Sequence, residues 1–381
     1  MQKFPSVPLI LVPMLFLLSC SENEKPNPQE AATLEKVSIQ PAKWFNNKSA
    51  AVSLTYDAAW GTHPQDPEYQ QMLEKVANEI IDRDLRMDFE LSSWIYVRDD
   101  YKQWLMSMRD ELYPNGIHFF GHGHLHHNYD EKSYQAAYAL FKQCYDLMQT
   151  WDLHPKAYGY PYGKCAKAST RKANRDAGWI CARSIEQKQD QLYICPNDIS
   201  EPNDWYALPA LPIASTVDQY FQNNAEILPV MQKAMEKKAW LIFMYHNIGL
   251  TNYNGWYAWD EFIKDLDMLQ ELDVWVGNMD EVASYIQARN AFKYTITPLD
   301  TTSGTRQYMV AIDKDFQNKF KDVTLTLEII MESDQVMRTA QFVSSETEND
   351  DAYPVINNSF MINIPLNRNQ FILNIDQRNK S

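Results

Sequence analysis

The chain has 381 residues, 45% of them hydrophobic, and a formal net charge of −15. This length predicts one large unit that buries a sizeable core, together with a smaller unit. The sequence pI of about 5.0 and the absence of Lys and Arg clusters exclude the electrostatic footprint of a nucleic-acid-binding protein.

The first segment, MQKFPSVPLILVPMLFLLSC, has a lysine, an apolar run and a Leu-Leu-Ser-Cys ending. The run is too short for an ordinary transmembrane helix and is typical of a signal peptide. Its ending resembles the lipobox of bacterial lipoproteins, which implies a lipoprotein signal peptide over residues 1–20 and lipid attachment at Cys20. We therefore expect a lipid-anchored protein on the periplasmic or cell-surface face of a bacterial outer membrane.

The polar, proline-containing segment that follows, SENEKPNPQEAA, predicts a flexible tether over residues 21–45. Four further cysteines lie deeper in the chain and form no C-x-x-C pair. Their spacing leaves disulfides and buried free thiols equally open.

From residue 46 to 290, short apolar runs alternate with helical patterns. This alternation predicts an α/β fold with parallel strands, either a complete or a distorted (β/α) barrel. In such folds the chemistry gathers at the carboxyl ends of the strands. The predicted strands are AAVSLTYD, RMDFEL, GIHFFGH, KAYGYPY, WICARS, YALPALPI, WLIFMYH and VWVGN.

Residues 291–381 have a different pattern, in which apolar and polar residues alternate between turn-rich stretches. FKYTITPL, RQYMVAI, DVTLTLEII, MRTAQFV and FMINIPL are the predicted strands. We expect a small all-β domain of the sandwich type.

Five of the eight histidines lie in the stretch HFFGHGHLHH. Imidazole is a common ligand of zinc, and His122 and His126 are four residues apart, close enough to bind one ion from a single turn or loop. The cluster predicts a divalent metal site, with zinc as the first expectation and cobalt or nickel as alternatives.

Four short motifs, in this order, resemble those of the polysaccharide deacetylases of the NodB-homology type, carbohydrate esterase family four. The resemblance covers roughly residues 49–285. The matching residues are Thr55, Tyr56 and Asp57 in TYDAA, His122 and His126, Pro161, Tyr162 and Gly163 in GYPYG, and His246 at the end of IFMYH.

The resemblance implies a role for each matching residue. His122 and His126 would hold the metal, and Asp57 would be the general base that takes a proton from water. The backbone N–H of Tyr162 would help to hold the oxyanion, and His246 would protonate the departing amine. Gly159 stands where the family has an arginine, and Arg183 is a candidate to orient Asp57 in its place.

The family's third metal ligand, a second aspartate in the first motif, is replaced by Ala58. Asp57 itself, a histidine such as His63 or His124, or a water molecule could fill the position. His63 is the nearest candidate in sequence. If none does, the expected protein is a catalytically inactive, glycan-binding member of the same scaffold, an alternative that Gly159 also favours.

Aromatic residues flank the motifs, and sugar rings stack on such side chains. The candidates for substrate binding are Trp60, Tyr160, Trp256 and Trp259, with core packing as the alternative for each. The leading hypothesis is a hydrolase that removes N-acetyl, or less favourably O-acetyl, groups from a glycan outside the cytoplasm.

Overall fold

The computed structural model describes residues 36–57, 66–253, 255–299, 305–332, 336–343 and 359–378. The first strand, β1 (Lys36–Pro41), belongs to the C-terminal β domain. The strands of the large domain are β2 (Ala50–Asp57), β3 (Met87–Leu91), β4 (Ile117–Gly121), β5 (Ala157–Gly159), β6 (Cys181–Arg183), β7 (Leu211–Ile213), β8 (Trp240–His246) and β9 (Val274–Val276).

These eight strands form one parallel sheet in the order β6-β5-β4-β3-β2-β8-β7, and β9 pairs with the beginning of β2. A parallel bridge between Arg183 and Leu208 connects β6 to the segment that enters β7. The sheet therefore curls into a distorted barrel, which confirms the fold predicted from the alternating pattern.

Helices cover the outer face of this sheet. The first begins at Pro67 behind an Asp66 cap, whose carboxylate accepts a hydrogen bond from the backbone N–H of Glu68 at 3.0 Å. The helices are α1 (Pro67–Asp82), α2 (Asp99–Leu112), α3 (Tyr134–Thr150), α4 (Ala168–Asp176), α5 (Asn224–Glu236), α6 (Trp259–Glu271) and α7 (Met279–Ala291).

The C-terminal β domain contains two antiparallel sheets, ordered β1-β12-β14 and β10-β11-β15-β13. Apolar residues from both sheets share one core, as expected for a sandwich. The remaining elements are β10 (Tyr294–Pro298), β11 (Thr305–Ile312), α8 (Lys314–Phe320), β12 (Thr324–Glu332), β13 (Val336–Val343), β14 (Ser359–Pro365) and β15 (Gln370–Arg378).

The strand β1 corrects the predicted tether. It pairs with β12 from Lys36 opposite Glu332 to Pro41 opposite Leu327, and Val37 and Ile39 lie in the sandwich core. A tether over residues 21–45 is therefore wrong for residues 36–41. The strand β15 and the helix α8 were also not predicted from the sequence.

The two domains pack against each other along α7. Tyr285 of α7 is buried in the core of the β domain, and its hydroxyl donates to the carbonyl oxygen of Ala42 at 2.9 Å.

Cys144, Cys165, Cys181 and Cys195 are buried free thiols. Among the residues described above, no helix is long and apolar enough to cross a membrane.

Candidate active site

Side chains alternate between the two faces of a strand, and this alternation gathers polar groups inside the barrel. In β2, Leu54 and Tyr56 pack outward against the helices, whereas Asp57 faces the interior. The same alternation in β3, β4 and β8 brings polar side chains to the carboxyl end of the barrel. A cavity of about 720 Å³ opens there, lined among others by Asp57, Glu90, Trp94, His122, His126, Tyr162, Tyr220 and His246.

Arg183 forms a buried ion pair with Asp57, in which its Nη2 donates to Oδ1 of the carboxylate. Arg183 is fully buried and Asp57 is 6% exposed. Arg183 lies opposite Gly159 in the parallel pairing of β6 with β5. A Cβ atom at Gly159 would lie 3.1 Å from Arg183 Cζ and 2.6 Å from the ring of Phe120, so the glycine leaves the space that the guanidinium occupies.

His122 directly follows β4, and its orientation is fixed at both the backbone and the ring. Its backbone N–H donates to the carbonyl oxygen of Leu91 at 2.9 Å, which continues the pairing with β3. The carbonyl oxygen of Gly159 lies 2.9 Å from His122 Nδ1 and can only accept a hydrogen bond, so Nδ1 carries the proton. The other ring nitrogen, Nε2, is then available as a metal ligand.

His126 returns to His122 through a tight loop. Gly123 adopts a φ of +102°, and a Cβ there would lie 2.7 Å from the carbonyl oxygen of Leu125, so the turn requires glycine. The rings of His122 and His126 have centroids 5.0 Å apart, and Tyr162 lies edge-on to His126 at 4.6 Å. The structure thus brings together the two predicted metal ligands.

Glu90, in β3, is a site residue that the sequence prediction missed. It is 4% exposed, and its Oε2 lies 3.4 Å from His122 Nε2. Candidate ligand atoms of Asp57, Glu90 and His122 all lie within 4.8 Å of one another. Two carboxylates and an imidazole at this spacing are suited to a divalent cation.

The two carboxylates have opposite electrostatic environments. Burial by itself raises the pKa of Asp57, but the charge of Arg183 and its hydrogen bond to the carboxylate help to offset this, and the pKa is lowered. Burial raises the pKa of Glu90 well above its usual range, and the negative charge of Asp57 raises it further. Burial lowers the pKa of His122 to about 3, so its ring is neutral at physiological pH. Asp57 is therefore the carboxylate that stays ionised when no cation is bound.

His246 ends β8 directly opposite Asp57 in the pairing of β8 with β2, and both side chains line the cavity. Tyr162 has a φ of +58° in the short turn after β5, and its side chain is 59% exposed at the cavity wall. Asp57, Arg183, His122, His126, Tyr162 and His246 are thus brought to one place.

Of the aromatic residues predicted to bind substrate, the three that the structure describes are not among the residues that line the cavity. Tyr160 is 1% exposed and packs in the core against Phe141 and Tyr158. Trp259 lies under the ammonium group of Lys75 at 3.7 Å, and half-buried Trp256 does not line the cavity formed by the described residues. Trp94, which follows β3 and is 41% exposed, lines the cavity instead and was not predicted.

Some predictions concern residues outside the described part of the chain, namely Cys20, Ala58, Trp60 and His63. Of the alternative metal ligands, His124 is described. Its Nδ1 lies 3.0 Å from the hydroxyl of Ser93. His124 is not one of the described residues that line the cavity.

A second group of candidate ligands, Asp88, His118 and Asp280, lies toward the amino end of the strands. Asp88 has a structural role here, because its carboxylate accepts hydrogen bonds from the backbone N–H of Met279 at 2.7 Å and from Asn278 Nδ2 at 2.9 Å. It thereby holds the start of α7 against the sheet.

Comparison with known proteins gave structural matches only. The wild-type BA3943 protein of Bacillus anthracis, a CE4 family pseudoenzyme, is 15% identical, with 62% of this chain and 66% of that chain covered and a TM-score of 0.38. The peptidoglycan deacetylase PdaC of Bacillus subtilis is 11% identical, with 64% and 95% covered and a TM-score of 0.40. The allantoinase PuuE is 10% identical, with 64% and 92% covered and a TM-score of 0.45.

No family model matches the sequence, and no curated protein matches it. The chain spans about two thirds of the length of the BA3943 protein. At these identities and TM-scores, the function of this chain has to be inferred from its own residues.

Proposed function

We propose that this protein is a metal-dependent hydrolase that removes N-acetyl groups from a glycan outside the cytoplasm. O-acetyl groups are the less favoured substrate. The observation that supports the proposal is the meeting of Asp57, His122, His126, Tyr162 and His246 at one cavity, at the carboxyl ends of the strands. These residues combine a base, an acid and metal-ligand groups around a space that a sugar unit can enter.

His122 and His126 would hold the divalent metal, for which we propose zinc, with cobalt or nickel as alternatives. The tautomer of His122 fits this role, because its protonated Nδ1 is fixed by Gly159 and its Nε2 lies beside the cavity. When bound, such a metal lowers the pKa of water and polarises the acetyl carbonyl group.

The protein's own groups would carry the protons. Asp57, kept ionised by Arg183, would accept the proton of the attacking water. His246, opposite Asp57, would donate a proton to the nitrogen that leaves the acetyl group. The backbone N–H of Tyr162 would stabilise the oxyanion.

The walls of the cavity support a carbohydrate substrate. Trp94 and Tyr162 are 41% and 59% exposed and line the cavity beside the metal-ligand groups. Exposed aromatic faces of this kind stack on the C–H surfaces of sugar rings. An acetylated glycan is therefore the proposed partner.

We also propose that the protein acts at the bacterial outer membrane, on its periplasmic or cell-surface face, and is held there by a lipid on Cys20. The lipobox-like ending of the first twenty residues supports this location. Its test is metabolic labelling with a fatty-acid analogue, which should mark the wild type and not Cys20→Ala.

A second candidate function is a catalytically inactive glycan-binding protein. The replacement of a metal-ligand aspartate by Ala58 favours it. Activity separates the two candidates, because both predict glycan binding at the same cavity.

The deciding experiment measures acetate released from N-acetylated oligosaccharides by the full chain, purified in detergent with zinc present. We expect release that stops with a chelator, returns with zinc, and is abolished in Asp57→Asn although zinc stays bound. Glu111→Gln, at an exposed site on α2, is the matched control and should retain full activity. No release by the wild type with zinc, cobalt or nickel would exclude the enzyme and leave the binding protein.

A further inference from the structure

We propose that Glu90 is the third protein ligand of the divalent metal, in the coordination position that Ala58 cannot fill. This rests on the metal dependence in the proposed function and adds to it a residue that belongs to none of the matching motifs. Catalytic zinc sites usually have three protein ligands and one open position. His122, His126 and Glu90 would complete that set.

The position of Glu90 follows from the strand order. β3 lies between β2 and β4, so its inward side chain near the carboxyl end lies between Asp57 and His122. Glu90 and His122 are 4% and 2% exposed, and both line the cavity. A carboxylate in such a place is buried at considerable cost unless a cation or a proton accompanies it.

The tautomer of His122 makes the contact with Glu90 unusual. Because Nδ1 donates to the carbonyl oxygen of Gly159, the neutral ring presents a lone pair at Nε2. This lone pair lies 3.4 Å from Oε2 of Glu90, which is also an acceptor when ionised. Two acceptors face each other in this way when a cation binds both, or when a proton lies on one of them.

The distance between the two atoms fits a shared metal ion. With Zn–N and Zn–O distances of about 2.0–2.2 Å, two ligand atoms of one tetrahedral site lie about 3.4 Å apart. The observed separation of Nε2 and Oε2 is 3.4 Å, which is long for a hydrogen bond between them.

The other candidate ligands have partners of their own. Asp57 belongs to the same group of ligand atoms as Glu90 and His122, but its charge is already balanced by Arg183, which donates to its Oδ1. The ring of His124 lies beside the hydroxyl of Ser93. Glu90 is therefore the carboxylate beside His122 Nε2 whose charge a bound metal would balance.

The test replaces Glu90 with Gln in the full chain. Gln preserves the shape and can donate a hydrogen bond to His122 Nε2, so it reproduces a protonated glutamate but not an anionic ligand. Zinc affinity is measured by competition with a chromogenic chelator, and the ligand field of bound Co²⁺ by its visible absorption. Glu111→Gln is the control, and thermal unfolding in a chelator checks that Glu90→Gln is folded.

We expect Glu90→Gln to bind zinc more than about 100-fold more weakly than the wild type, since second-shell changes alone cost 10–100-fold. The Co²⁺ absorption should change with it, while unfolding without metal stays at or above the wild-type temperature. Unchanged affinity and absorption in Glu90→Gln would overturn the inference, as would a wild type that binds no metal. Zinc binding through Glu90 without acetate release would leave this inference standing and exclude the proposed function.

Discussion

The ion pair between Arg183 and Asp57 gives a direct test of how the site is held together. Arg183 is fully buried and Asp57 is 6% exposed, so Arg183→Met leaves a buried carboxylate without its cation. Removing one partner of a buried pair costs about 3–5 kcal/mol. In a domain of this size each kcal/mol lowers the Tm by roughly 2–4 °C, so the variant should melt roughly 6–20 °C below the wild type.

Replacing both partners should recover most of this loss, because Arg183→Met with Asp57→Asn leaves neither charge buried. The assay is thermal unfolding followed by circular dichroism, in a chelator so that bound metal does not contribute. Arg183→Lys keeps the charge and should lose less than Arg183→Met. A Tm of Arg183→Met equal to that of the wild type would refute the reasoning, and so would a double variant no more stable than Arg183→Met.

Two further predictions concern the vacant motif position and the pH dependence of stability. Ala58→Asp should change zinc affinity less than about tenfold in the wild type but raise it more than tenfold in Glu90→Gln, because only there is a ligand missing. An equal gain of zinc affinity in the wild type and in Glu90→Gln, measured by chelator competition, would contradict this prediction. Burial raises the pKa of Asp265, which accepts hydrogen bonds from Tyr245 and Tyr257, to about 7. This value lies above the unfolded pKa of about 3.9, so stability from this group is lost as pH rises from about 4 to 7. Between these pH values the Tm of Asp265→Asn should fall less than that of the wild type. Equal slopes of Tm against pH in the two proteins would refute the raised pKa of Asp265.

Much of the large domain could be predicted because its signals are local. Each of the eight predicted strands is present, and α-helices lie between most consecutive strands, as the alternating pattern predicts. Buried parallel strands are apolar along their whole length, and the helices between them repeat apolar residues at helical spacing. Polar residues that interrupt such strands near their carboxyl ends, such as Asp57, are then visible in the sequence.

The strand β1 could not be found in this way. Its partner β12 lies almost three hundred residues further along the chain, from Lys36 opposite Glu332 to Pro41 opposite Leu327. The pairing depends on contacts between distant segments and not on the pattern of KVSIQP itself. Because the segment before β1 is polar, the predicted tether was extended to residue 45 and wrongly included the strand.

Glu90 was missed although a signal for it exists. In MDFEL, the outward residues Met87, Phe89 and Leu91 pack against the helices, whereas Asp88 and Glu90 occupy the alternate, inner positions. An acidic residue at an inner position is costly to bury, so it indicates either a structural partner or a site. Asp88 has its partner at the start of α7, which leaves Glu90 as the functional candidate.

Gly159 shows how a motif departure can be compensated on the next strand. From the sequence alone, a glycine in place of the expected arginine favours an inactive protein. In the structure, Arg183 lies opposite Gly159. A Cβ atom at position 159 would lie 3.1 Å from Arg183 Cζ, so the glycine leaves room for the guanidinium. The charge beside Asp57 is therefore supplied by β6 instead of β5. This removes one of the two sequence arguments against catalysis, and the other, Ala58, depends on whether Glu90 binds the metal.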